Sequence, residues 1–145
     1  MKRSIRLLFA SIAILSVAGL AESAIALQRH YAHSTTSFCD LGEIFNCDIV
    51  NRSEYSSIAG IPVAALGIAA YGLLLFLSTV RRTNPVTPPL LLLGASAGLA
   101  FAIYLTYVEA YVLTTWCILC LISLFTIFTI TLLAFILKWY TRVAR

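Results

Sequence analysis

From Leu90 to Trp139 the chain runs fifty residues without a proline, and Glu109 is the only charged residue before Lys138. No other feature restricts the fold as much. One continuous helix over that stretch would be about 75 Å long, against a hydrocarbon core of about 30 Å. The run must therefore double back. Glu109 to Thr115 (EAYVLTT), which holds the charge and two threonines, is where it turns, leaving spans at about 90–111 and 115–138. Gly94 and Gly98 form a GxxxG pair in the first of these, suited to close helix packing.

Two more apolar stretches precede it. Ile5 to Leu27 follows the basic Met1-Lys2-Arg3 and resembles a secretory leader with Ala24-Ile25-Ala26 as its small-residue site, but its length suits a spanning helix at about 5–27. Glu22 inside it is either near the outer interface or a buried functional acid. The second span, about 61–80, starts near Pro62 at a first helical position and stops at Arg81-Arg82. Thr83 to Pro89 (TNPVTPP), with three prolines, reads as a connection without helix. Residues 28–59 form the one substantial polar segment, in which Ser53 to Ala59 (SEYSSIA) reads as a short surface helix broken by Gly60, and His30 and His33 read as solvated rather than as metal ligands. The expected fold is an all-α membrane protein: one domain over 1–145, a four-helix transmembrane bundle whose external loop carries a short surface helix.

Charge placement sets the orientation. Only 11% of residues are charged, where a soluble domain has about 25%, and the net charge is +4. Lys2, Arg3, Arg6, Arg81, Arg82, Lys138, Arg142 and Arg145 occupy the two ends and the short connection, whereas Asp40, Glu43, Asp48 and Glu54 cluster in the polar segment. No basic face exists for nucleic acid. Positive-inside topology places both termini in the cytoplasm and the 28–59 loop outside, in a bacterial periplasm or the endoplasmic reticulum lumen.

All four cysteines then lie on the external side, where disulfides can form. Cys39 and Cys47 are in the loop; Cys117 and Cys120 make a C-x-x-C at a helix start that Thr114 or Thr115 can cap. Residues three apart share a helix face, and the N–H groups and dipole of that helix end favour a thiolate. Two other readings compete. Cys39 and Cys47 could staple the loop while the other pair are ordinary apolar helix residues, or four cysteines could hold zinc, although only one C-x-x-C is present and it begins in a membrane helix. Redox exchange best explains a C-x-x-C at the membrane edge, within reach of a lipid-soluble oxidant.

Cys39-Asp40-Leu41-Gly42 followed by Cys47, Val50 and Ser53, together with Trp116-Cys117-Ile118-Leu119-Cys120, resembles the vitamin K epoxide reductase family, including its bacterial disulfide-generating members. The resemblance covers essentially the whole chain. DsbB-type proteins are similar in span number but carry the C-x-x-C before the other pair, the reverse of the order here. The resemblance implies that Cys39 exchanges with a separate thioredoxin-like (DsbA-like) protein and that Cys47 attacks the Cys117–Cys120 disulfide at Cys117. It implies further that Cys120 faces a quinone of the ubiquinone, menaquinone or vitamin K type, with Ser53 beside it and no metal. Many bacterial members carry a fused thioredoxin-like domain, which this sequence lacks, so a separate partner is expected. Leu124 stands where vertebrate members have a tyrosine, and residues 60–80 hold no asparagine, which favours quinone reduction over epoxide reduction. A non-catalytic membrane subunit with a stapled loop is the alternative from another class.

Overall fold

The computed structural model describes residues 2–32, 42 and 44–143. Its elements are α1 (Lys2–Tyr31), α2 (Cys47–Arg52), a 3-10 turn (Glu54–Ser56), a hairpin of β1 (Ser57–Ile58) and β2 (Ile61–Pro62), α3 (Val63–Thr79), α4 (Thr87–Val108) continuing as a π-helical turn (Glu109–Leu113), and α5 (Ile118–Val143). Three stretches, Arg3–Tyr31, Thr87–Leu113 and Ile118–Val143, are long and apolar enough to cross a membrane; α3 is a shorter apolar helix of 17 residues.

The helices pack as antiparallel neighbours. On α1 and α3, Gly19 meets Tyr71 and Ser23 meets Gly67, so positions rise along one helix as they fall along the other. Any Cβ at Gly19 would overlap the Tyr71 ring, which is why a glycine stands there. Gly98 packs tightly on Ile127 of α5, whereas Gly94 lies near Leu74 of α3, so the GxxxG pair serves two partners rather than one seam. Ile12, Leu91, Ile130 and Leu137 form the fully buried centre. Outward, Ile14, Leu93 and Phe125 are each at least 70% exposed. Large apolar side chains standing free on three helices require an apolar solvent around the bundle.

Antiparallel packing gathers Arg3, Arg6, Arg81, Arg82, Lys138 and Arg142 at one end of the bundle. The opposite end holds α2, the hairpin and the turn between α4 and α5.

Several local expectations change. Helix α1 continues beyond residue 27 to Tyr31 because its polar end is anchored: Arg29 is buried with Nη1 3.6 Å from Asp48 Oδ1, and His30 Nδ1 donates to the Asn51 carbonyl at 2.6 Å. His30 is therefore half-buried rather than merely solvated; His33 lies outside the described residues. The short helix of the polar segment is Cys47–Arg52, where Asn46 Oδ1 accepts from the Asp48 and Ile49 N–H groups at 3.0 Å, an N-cap that SEYSSIA lacks. SEYSSIA instead supplies the 3-10 turn and β1, and Ala59 (φ 51°) and Gly60 (φ 82°) take the two left-handed positions of a tight hairpin turn. Pro62 lies in β2, just before α3. Pro88 and Pro89 do not exclude helix but sit in the first turn of α4, where a missing N–H costs no intrahelical bond.

Candidate active site

Two main-chain hydrogen bonds assemble the site. The Asn46 N–H donates to the Trp116 carbonyl at 3.1 Å, and the Trp116 N–H donates to the Ile44 carbonyl at 2.9 Å. The residues that follow Asn46 and Trp116 are Cys47 and Cys117, so this clasp brings two cysteines distant in sequence together. Both are fully buried. Cys47 opens α2, and Cys117 occupies the cap position of α5, its carbonyl accepting the first helical bond from Leu121 at 3.0 Å. Neither threonine caps α5: Thr114 takes a left-handed conformation (φ 49°), and the Thr115 hydroxyl donates to the Leu113 carbonyl at 3.2 Å.

The sulfur of Cys117 is central. Its thiol is in side-chain hydrogen-bond contact with both Cys47 and Cys120. Asn51 Nδ2 donates to the Cys47 carbonyl at 2.9 Å and reaches Cys117 Sγ at 3.9 Å, linking the two cysteines. Cys39 lies outside the described residues. Val50 and Leu119 complete a small apolar cluster around the two buried sulfurs.

A carboxylate shares this space. Glu109, on the π-helical turn, is 1% exposed, and its Oε2 accepts the Cys117 N–H at 3.1 Å. A carboxylate oxygen, Cys117 Sγ and Cys120 Sγ lie within 4.8 Å of one another. The helix end expected to favour a thiolate thus already gives one of its N–H groups to an acid. The acid therefore stands beside both sulfurs of the C-x-x-C.

Beside the sulfurs is a cavity of about 290 Å³. Ala70, Leu74, Phe101, Leu105 and Ile127 give it apolar walls, and Cys120, Glu109, Asn51, Ser53 and His30 supply polar atoms. Along α1 it extends from His30 to Glu22, about 12 Å at helical rise. At Glu22 the polar groups are its own carboxylate, accepting from Thr126 Oγ1 at 3.3 Å, and Tyr71, whose hydroxyl meets Ser123 Oγ at 2.9 Å. An elongated apolar space with a few polar atoms and one cysteine suits a flat ring bearing carbonyls. Ser53 lines it, but its hydroxyl donates to the Val50 carbonyl at 2.8 Å.

Glu109, Asn51, His30 and Glu22 join the site without having been singled out for it from sequence, although Glu22 was weighed as a buried acid. Glu109 carried a readable signal: an ionisable residue within a long apolar run is a functional candidate by default. Asn51 and His30 carried none, since only the fold brings Asn51 to a sulfur and His30 to the cavity wall.

The model of the vitamin K epoxide reductase family matches residues 10–135, most of the chain. No curated protein matches the sequence.

Proposed function

The chain belongs to the vitamin K epoxide reductase family, and from that premise we propose that it is a quinone-coupled thiol–disulfide oxidoreductase supporting disulfide formation in a separate thioredoxin-like protein. Members of the family are oxidoreductases whose chemistry is linked to quinones and thiols. The observation that carries the finer reading is the order of the sulfurs. Cys117 is in hydrogen-bond contact with both Cys47 and Cys120, and of the three only Cys120 lines the cavity.

Electrons then follow that order. Cys39 exchanges with the thioredoxin-like partner and Cys47 attacks Cys117, releasing Cys120 as a thiol. A second exchange, in which Cys39 attacks Cys47 and displaces Cys117, re-forms Cys39–Cys47 and leaves Cys117 and Cys120 reduced. When bound, a quinone of the ubiquinone, menaquinone or vitamin K type takes up two electrons and two protons. Asn51 holds Cys117 in line with Cys47, the apolar walls exclude water, and Cys120 faces the ring. Ser53 contributes a hydroxyl beside the ring if it turns from Val50, giving up a bond worth about 1 kcal/mol. We propose no metal in this chemistry.

All 145 residues act as one transmembrane domain of four spans, α3 included, with membrane lipid around it and no nucleic acid. The basic end lies in the cytoplasm and the cysteine end at the periplasmic face of a bacterial inner membrane.

The test is quinone reduction by the purified protein with a reduced thioredoxin-like protein as donor. Turnover that stops when Cys117 or Cys120 is replaced supports the reading. No turnover with any quinone class would leave a disulfide-stapled membrane subunit as the better account.

A further inference from the structure

The structural partner of Glu109 is the Cys117 N–H, and that group needs an acceptor rather than an ionisable side chain. The acid is almost wholly buried, no Lys or Arg pairs with it among the described residues, and only Oε2 makes a hydrogen bond of ordinary geometry there. Burying a carboxylate without a cation is costly. A glutamine at this position would accept the Cys117 N–H without that cost. What the acid does have is a set of reacting neighbours: the Cys117 N–H on Oε2, the Cys120 thiol close by, and the cavity that it lines with Cys120.

We propose that Glu109 is the proton carrier of the site, taking the thiol protons from Cys120 and Cys117 and delivering them to the quinone oxygens. This rests on the quinone-reduction reading above. In the reduced protein the Cys120 S–H proton moves to the Glu109 carboxylate, and the Cys120 sulfur gives up an electron pair to the ring. Glu109 passes its proton to the nearer ring oxygen. Vacated, it takes the Cys117 proton as the Cys117 sulfur bonds to Cys120, and passes that on to the second oxygen. Two S–H bonds break and one S–S bond forms, while two electrons and two protons end on the quinol. A single carboxylate can serve both sulfurs because Cys117 and Cys120 flank it within 4.8 Å.

The variant pair Glu109→Gln and Glu109→Asp tests it. Glutamine keeps an acceptor for the Cys117 N–H but cannot take a proton; aspartate can. General acid–base catalysis contributes about 100-fold or more, so E109Q should lose that much turnover with dithiothreitol and a short-chain ubiquinone, and E109D should recover part of it. A second readout needs no quinone: alkylation of Cys120 in the reduced protein, followed by peptide mapping. A proton acceptor speeds it, so E109Q should slow it by about tenfold or more. A carboxylate that only fixed the turn, or only repelled the thiolate, would leave that rate unchanged or raise it in E109Q, and either result overturns the proposal. Wild type that alkylates as expected yet reduces no quinone sinks the quinone reading and leaves the proton acceptor standing. Should E109Q fail to fold, infrared difference spectra of wild type carrying ¹³C-carboxyl glutamate decide: the Glu109 band must change between dithiol and disulfide states, and a silent band overturns the role.

Discussion

At the residue scale, the two cysteine pairs separate by what they can reach. Cys120 lines the cavity, whereas Cys47 lies outside its lining and contacts Cys117. With a small dithiol as donor, Cys117→Ser and Cys120→Ser should abolish quinone reduction, since no C-x-x-C disulfide remains. Cys39→Ser and Cys47→Ser should lose turnover with the protein donor yet keep some with the small dithiol. A Cys120→Ser protein as active as wild type would remove Cys120 from the chemistry. That variant should also accumulate a Cys47–Cys117 disulfide, because the thiol that would resolve it is gone, and should leave Cys39 open to alkylation. Acid-quenched, non-reducing peptide mapping reads both; Cys117 found always unlinked would break the relay between the pairs.

At the scale of elements, the glycines of the bundle give a matched pair of substitutions. Gly19→Leu drives a side chain into the Tyr71 ring and should destabilise the α1–α3 pair by about 1–3 kcal/mol, as overpacking does. Gly72→Ala has nothing within 4 Å of the added Cβ and should stabilise α3 by about 0.5–1 kcal/mol. Thermal unfolding in detergent compares them; equal shifts would mean that Gly19 is not a packing constraint. The four apolar helices were legible because periodicity matters little when whole runs are apolar: length, proline and charge set their limits. The elements that positioned the site were not. SEYSSIA reads as a short helix, but the nucleating cap is Asn46, whose two hydrogen bonds begin α2 instead. Pro88 and Pro89 were read as breakers because proline means opposite things one turn apart.

For the whole molecule, charge segregation and antiparallel packing agree on two unlike ends. Single cysteines placed at Thr83 and Glu54, both exposed, in a cysteine-free chain should report them: an impermeant reagent on intact cells should label position 54 and spare 83. The reverse pattern would reject the orientation. The cysteine order and the C-x-x-C were visible in sequence because they are patterns of identity. Glu109 stands out in sequence as a lone charge in an apolar run, but its partner does not, because a π-helical turn aims it back at Cys117. Asn51 became part of the site through the same kind of long-range placement, one residue from α2's end and against a sulfur 66 positions away.

The clasp between Ile44–Asn46 and Trp116 is made of main-chain atoms alone. The side chains of Ile44, Phe45 and Trp116 are therefore free to drift among relatives without moving either sulfur, while Asn46, which caps α2, and the spacing of one residue from each bond to its cysteine are not. Chains of this kind should tolerate many replacements at positions 44, 45 and 116, yet none should tolerate an insertion between 46 and 47 or between 116 and 117.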